Sequence, residues 1–121
     1  MSERRDRIES AIREHVAAFN AQDIPRLLTG LAADVVWHTG QDTFRGHDAL
    51  ADLFTGAFAA IAPRLTIRSL LIEQNRAACE LVERMTVDGA TREAFIAGFY
   101  QMDADDVITA VKVYRQGSAD V

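Results

Sequence analysis

Residues 16–50 read VAAFNAQDIPRLLTGLAADVVWHTGQDTFRGHDAL, and this stretch decides the fold. A helix runs out at Asn20, and the polar residues Asn20 to Gln22 break it. Asp23 reads as an N-cap, with Pro25 just inside a short helix that carries Leu27, Leu28 and Leu31. Val35-Val36-Trp37 is β-branched and aromatic, which predicts a strand from Asp34 to Thr39. Gly40 to Arg45 reads as a loop. Gly46-His47-Asp48 opens a third helix, whose apolar set is Leu50, Leu53, Phe54, Ala57, Phe58 and Ile61. Pro63 ends it, because a residue before proline is pushed out of the helical region.

Working outward, residues 3–19 form the first helix. Ile8, Ile12, His15, Val16 and Phe19 fall on one stripe, with Ser2 as the expected N-cap. Downstream, four strands are expected at about 64–74, 76–88, 91–102 and 106–115. Asp88-Gly89 is a tight-turn signal, and residues 103–106 make another turn. Short turns between neighbouring strands imply antiparallel pairing. Three helices followed by such a meander imply an α+β domain with the helices on one face of the sheet.

Composition narrows the partners. At 121 residues the chain is one domain, 1–121, with room for one core. A net charge of −5 without a basic run argues against nucleic acid, and the same sign argues against an anionic membrane surface. Cys79 is the only cysteine, so no intramolecular disulfide forms. MSERRDRIES is charged, with no apolar segment behind it, and no apolar run reaches the length of a bilayer. A cytoplasmic protein is expected. The histidines show no H-x-x-x-H spacing, so no metal site is indicated.

The order of helix, Asn-x-x-Asp break, short helix, strand ending in W-H-T, F-R-G-x-x-A-L helix and long-stranded sheet resembles the nuclear transport factor 2-like superfamily. It is most similar to the SnoaL-like, polyketide cyclase-like branch; limonene-epoxide hydrolase and ketosteroid isomerase are more distant relatives. The resemblance covers almost the whole chain. It implies a cone: a curved, mostly antiparallel sheet wraps the long helix and encloses an apolar pocket.

The resemblance also implies which residues line that pocket. On the first strand it selects Trp37 and Thr39. On the strand 76–88, apolarity alone puts Cys79, Leu81, Glu83, Met85 and Val87 toward the core. The resemblance instead matches Arg84 to the epoxide hydrolase arginine, which turns Glu80, Val82, Arg84 and Thr86 inward; that facing is the expectation taken. The expected lining is completed by Phe19, Ile96, Gly98, Tyr100, Val111 and Val113. Both catalytic sets of the relatives are incomplete. Thr39 stands where the isomerases have their base, while Gly98 and His15 stand at their oxyanion donors. Thr86 and Val113 stand where the epoxide hydrolases have aspartates.

The remaining candidates are His15 or Glu80 as acid/base, with Arg84 and Tyr100 as electrostatic stabilisers. Each has a plainer reading: His15 as a core histidine, Trp37 and Tyr100 as packing walls, Cys79 as a small buried hydrophobe. Two functions follow. One is cofactor-independent isomerase, cyclase or hydrolase chemistry on a small hydrophobic carbonyl- or epoxide-bearing molecule. The other is a non-catalytic ligand-binding or dimerisation module. The expected outward set of Cys79, Leu81, Met85, Phe95, Ala97, Phe99, Ala110 and Tyr114 is too apolar for an open face. With the resemblance, it implies a homodimer through the outer sheet face.

Overall fold

Asp88 and Gly89 adopt φ values of 51° and 78°, so the chain reverses in two residues and Val87 faces Ala90. Positive φ at both central positions suits the right-handed twist of the strands they join. This turn fixes the register of the two longest strands in the computed structural model, which describes residues 2–116.

The elements in order are α1 (Ser2–Asn20), α2 (Ile24–Thr29), β1 (Leu31–Thr39), β2 (Asp42–Arg45), α3 (Gly46–Ile61), β3 (Arg64–Glu73), β4 (Arg76–Val87), β5 (Ala90–Met102) and β6 (Ile108–Arg115). The expected cap at Ser2 depends on a side chain outside the described residues. The six strands form one mixed sheet in the order β2-β1-β6-β5-β4-β3. Every pairing is antiparallel except β1 with β6. Register shifts at Ile67/Ser69 and Gln101/Met102 mark irregularities of the kind that bend a sheet.

The α+β expectation holds, with three helices. Asp23 caps α2 by accepting a hydrogen bond from the Arg26 backbone N–H, with Pro25 in the first turn. Two boundaries differ from expectation. β1 begins at Leu31, whose buried side chain belongs to the sheet rather than to α2. Residues 42–45, expected as loop, form β2, an edge strand opposite β1. Gly40, at φ 59°, lets that hairpin close in two residues. DTFR has one apolar residue, Phe44, so it carries no period by which a strand could be read.

The core lies between the helices and the inner sheet face. Ile8, Ile12, Val16 and Phe19 from α1 meet Leu50 and Phe54 from α3 over Val35, Leu81 and Val111. Asn20 fastens the end of α1 to β3. Its amide donates to the Leu65 carbonyl at 2.9 Å and accepts from the Leu65 N–H at 2.7 Å. The other face of the sheet leaves Leu71, Phe95, Phe99 and Tyr114 exposed.

The facing of β4 is the main correction. Residues in the β4–β5 register sum to a constant: Val87 faces Ala90, Glu83 faces Ala94, Leu81 faces Ile96 and Cys79 faces Gly98. Directly opposed residues share a face, so the even residues of β5 travel with the odd residues of β4. Ala77, Cys79, Leu81 and Glu83 are buried inward. Glu80, Val82, Arg84 and Thr86 lie on the outer face, so the expectation that they line the pocket is overturned. Cys79 and Leu81, placed in the outward apolar set, belong to the core.

Candidate functional site

A cavity of about 110 Å³ sits between α1, α3 and the inner faces of β1, β4, β5 and β6. Its walls are apolar. Phe19 and Leu53 come from the helices, Trp37 from β1, Leu81 from β4, and Ile96 from β5. The aromatic rings interlock. Trp37 meets Phe54 edge-on at 5.4 Å between centroids, and Phe19 meets Phe54 edge-on at 6.1 Å.

The deep end carries His15 and Tyr100, both about 5 % exposed. Helical spacing places His15 on the buried stripe of α1, between Ile12 and Phe19. Its ring lies 5.7 Å from Trp37 and 5.8 Å from Tyr100, and its Nδ1 is buried without a hydrogen-bond partner. Burial pulls its pKa down from 6.5 to about 4, so the imidazole is neutral at physiological pH. Burial pushes the Tyr100 phenol pKa upward, with a smaller contribution from neighbouring Cys79, so the hydroxyl keeps its proton. Among the described residues that hydroxyl makes no hydrogen bond, and it can donate to an occupant. Burial likewise pushes the Cys79 thiol up to about 11, which removes it as a nucleophile at neutral pH.

Gly98 sets the position of Tyr100. A Cβ at residue 98 would stand 2.5 Å from the Tyr100 hydroxyl and 2.8 Å from its Cζ. The phenol can lie across the strand only because residue 98 has no side chain.

Toward the mouth the lining turns polar. Glu83, 4 % exposed, is salt-bridged to Arg115, whose side chain is 24 % exposed. Arg115 faces Ile96 and Glu83 faces Ala94, so the pair closes over the inner face of β5. Thr39, Leu65 and Val113, all half-buried, surround this opening.

Of the candidate residues, the cavity collects His15, Phe19, Trp37, Thr39, Ile96, Gly98, Tyr100 and Val113. Val111 is fully buried beneath it in the core. Glu80 is instead hydrogen-bonded to Ser69, and Arg84 is paired with Glu93 at 2.7 Å, both on the outer face. Val82 is half-buried and Thr86 exposed on that same face. Glu83 and Arg115 were missed. The alternation of β4 pointed to Glu83; Arg115 continues the inward run Val111, Val113 by one further step of two.

A larger hollow of about 640 Å³ opens on the outer sheet face, lined by Leu71, Ala78, Phe99 and Lys112 among others. Its charged residues Glu73, Arg76 and Lys112 are exposed. Among the described residues, it is the inner cavity that brings the buried titratable groups His15, Glu83 and Tyr100 together.

Three helices on one curved, six-stranded mixed sheet define the nuclear transport factor 2-like class. Within it, residues 12–111 match the description of the SnoaL-like domain, and the chain belongs to that family. A nuclear transport factor 2-like protein of unknown function from Burkholderia pseudomallei superposes with a TM-score of 0.83 at 21% identity, over 91% of both chains. An epoxide hydrolase of the limonene-epoxide hydrolase-like kind from Mycobacterium tuberculosis superposes at 0.82 and 17% identity, over 92% of this chain and 84% of that one. A hypothetical protein with a ketosteroid isomerase-like fold from Catenulispora acidiphila, in complex with trimethylamine, superposes at 0.79 and 18% identity, over 86% and 83%. Identities this low carry the fold alone. Comparison with curated protein sequences finds no match.

Proposed function

We propose that the protein binds a small apolar molecule bearing one carbonyl or epoxide oxygen and moves a proton on it without a cofactor. The observation that carries this reading is one apolar cavity lined by a salt-bridged carboxylate, Glu83, and an unpaired tyrosine hydroxyl, Tyr100. For a ketone, Tyr100 donates to the carbonyl oxygen. Glu83 then takes a proton from the adjacent carbon: the C–H bond breaks, a carboxyl O–H forms, and negative charge gathers on the oxygen facing Tyr100. A donor aimed at developing charge in a water-poor site is strongly stabilising. Arg115 holds the Glu83 carboxylate in place. His15, neutral and deep, shapes the site beside Tyr100. Trp37, Phe19 and Phe54 exclude water.

Glu83 thus takes the base role expected of Glu80, and Arg115 supplies the guanidinium expected of Arg84. The epoxide hydrolase among the similar structures supports keeping epoxides in the substrate class. The test is solvent deuterium uptake into cyclohexanone. Wild type accelerates it above buffer, and Glu83→Gln loses the acceleration by about 100-fold or more. Equal rates with both proteins contradict the base assignment.

A second reading, a ligand carrier without chemistry, is favoured by the Glu83–Arg115 pair being satisfied within the protein itself. It predicts ketone binding with no deuterium uptake. Under either reading the protein is a cytoplasmic homodimer joined through the outer sheet face, supported by the exposed Leu71, Phe95, Phe99 and Tyr114.

A further inference from the structure

The volume and walls of the inner cavity define its occupant more narrowly than its polar groups do. We propose that it is a single-ring site: it takes one five- or six-membered ring carrying one oxygen and excludes fused bicyclic molecules. This rests on the reading of the cavity as a carbonyl pocket.

The cavity measures about 110 Å³. Ligand pockets for drug-sized molecules run to about 300–1,000 Å³, whereas an apolar cavity of about 150 Å³ is the scale that admits benzene. The inner cavity lies below even that scale, so a single ring already fills it and reaches toward the opening beside Thr39, Leu65 and Val113. The space is small because side chains fill it. Trp37 and Phe54 stand edge-to-face, and Phe58 stacks on Phe54 with a 16° tilt at 6.2 Å. Tyr100 occupies the room that Gly98 leaves empty.

A second ring has nowhere to go. Inward, the buried rings of His15 and Tyr100 close the cavity. Outward, it would press apolar surface against the Glu83–Arg115 ion pair and strip water from it. A single ring instead lies against Trp37 and Leu81 with its oxygen toward the Tyr100 hydroxyl. Half-buried Leu53, on α3, is the wall with the most freedom to be trimmed.

The experiment titrates the protein with cyclohexanone and with 1-decalone, reading the fluorescence of Trp37, the only tryptophan in the chain. Wild type binds cyclohexanone about tenfold or more tightly than 1-decalone. Leu53→Ala adds space and shifts that ratio toward 1-decalone by about tenfold. Should Leu53→Ala fail to fold, the wild-type ratio alone decides. Binding of 1-decalone by wild type as tight as or tighter than cyclohexanone overturns the single-ring limit and leaves the carbonyl-pocket reading standing. Binding of neither ketone overturns both.

Discussion

Arg115 reaches over the inner face of β5 to the buried carboxylate of Glu83, and small Ala94, directly opposite Glu83, leaves room for the pair. A carboxylate taken out of water depends on such a partner. Arg115→Ala therefore destabilises the protein by about 1–3 kcal/mol, less than a fully buried pair because Arg115 touches solvent. Arg84→Ala, which breaks the exposed pair with Glu93, changes stability by about 0.5 kcal/mol or less. Urea unfolding of both variants checks this. Equal losses would mean that Glu83 is not the carboxylate that matters.

The closeness of Tyr100 to residue 98 gives a second expectation. Gly98→Ala drives a methyl into the phenol and destabilises by about 1–3 kcal/mol. It also displaces the hydroxyl, so cyclohexanone affinity falls even where the protein remains folded. Thermal unfolding and ligand titration of the same variant separate the two effects. A fully tolerated alanine would contradict the packing described.

His15 predicts a pH dependence. The unfolded chain binds a proton at this residue near pH 6.5, and the folded protein only near pH 4. Between those values unfolding takes up a proton, so stability is lost as pH falls, by about 1.4 kcal/mol per pH unit from this group. Above 6.5 both states are neutral there and the group contributes no slope. His15→Gln removes that component. Urea midpoints of wild type and variant, compared through the interval, converge toward the acid side; parallel curves would contradict the burial of a neutral imidazole.

The outer face predicts association. Phe99 and Tyr114 pack edge-on at 5.7 Å there, both exposed. On the proposed dimer, Phe99→Glu yields a monomer in sedimentation without altering the inner cavity. A wild type that is already monomeric at micromolar concentration would contradict the dimer.

Much of this was legible in the chain. The helices, the Asp23 cap, the inward faces of β5 and β6, and the family resemblance all follow from residues 16–50 and the strand alternation beyond them. The facing of β4 is legible too, in the turn that follows it. A two-residue turn at Asp88-Gly89 forces Val87 opposite Ala90, which couples odd residues of β4 to even residues of β5. Glu80 and Arg84 could not face inward together with Gly98 and Tyr100. The motif match at Arg84 conflicts with the register that the turn determines. The strand β2 was not legible, because pairing with β1 rather than any period of its own makes DTFR a strand. Cavity size was not legible either, since it depends on where the rings of Trp37, Phe54 and Tyr100 come to rest.

The proposed working face of the sheet is the one carrying Glu83 and Tyr100. Its most direct test is an NMR map of backbone and Trp37 indole shifts as cyclohexanone is added. With the ketone in the inner cavity, the shifts gather at His15, Trp37, Glu83, Gly98 and Tyr100. Shifts that gather instead at Leu71, Phe95 and Phe99, around the outer hollow, would contradict it.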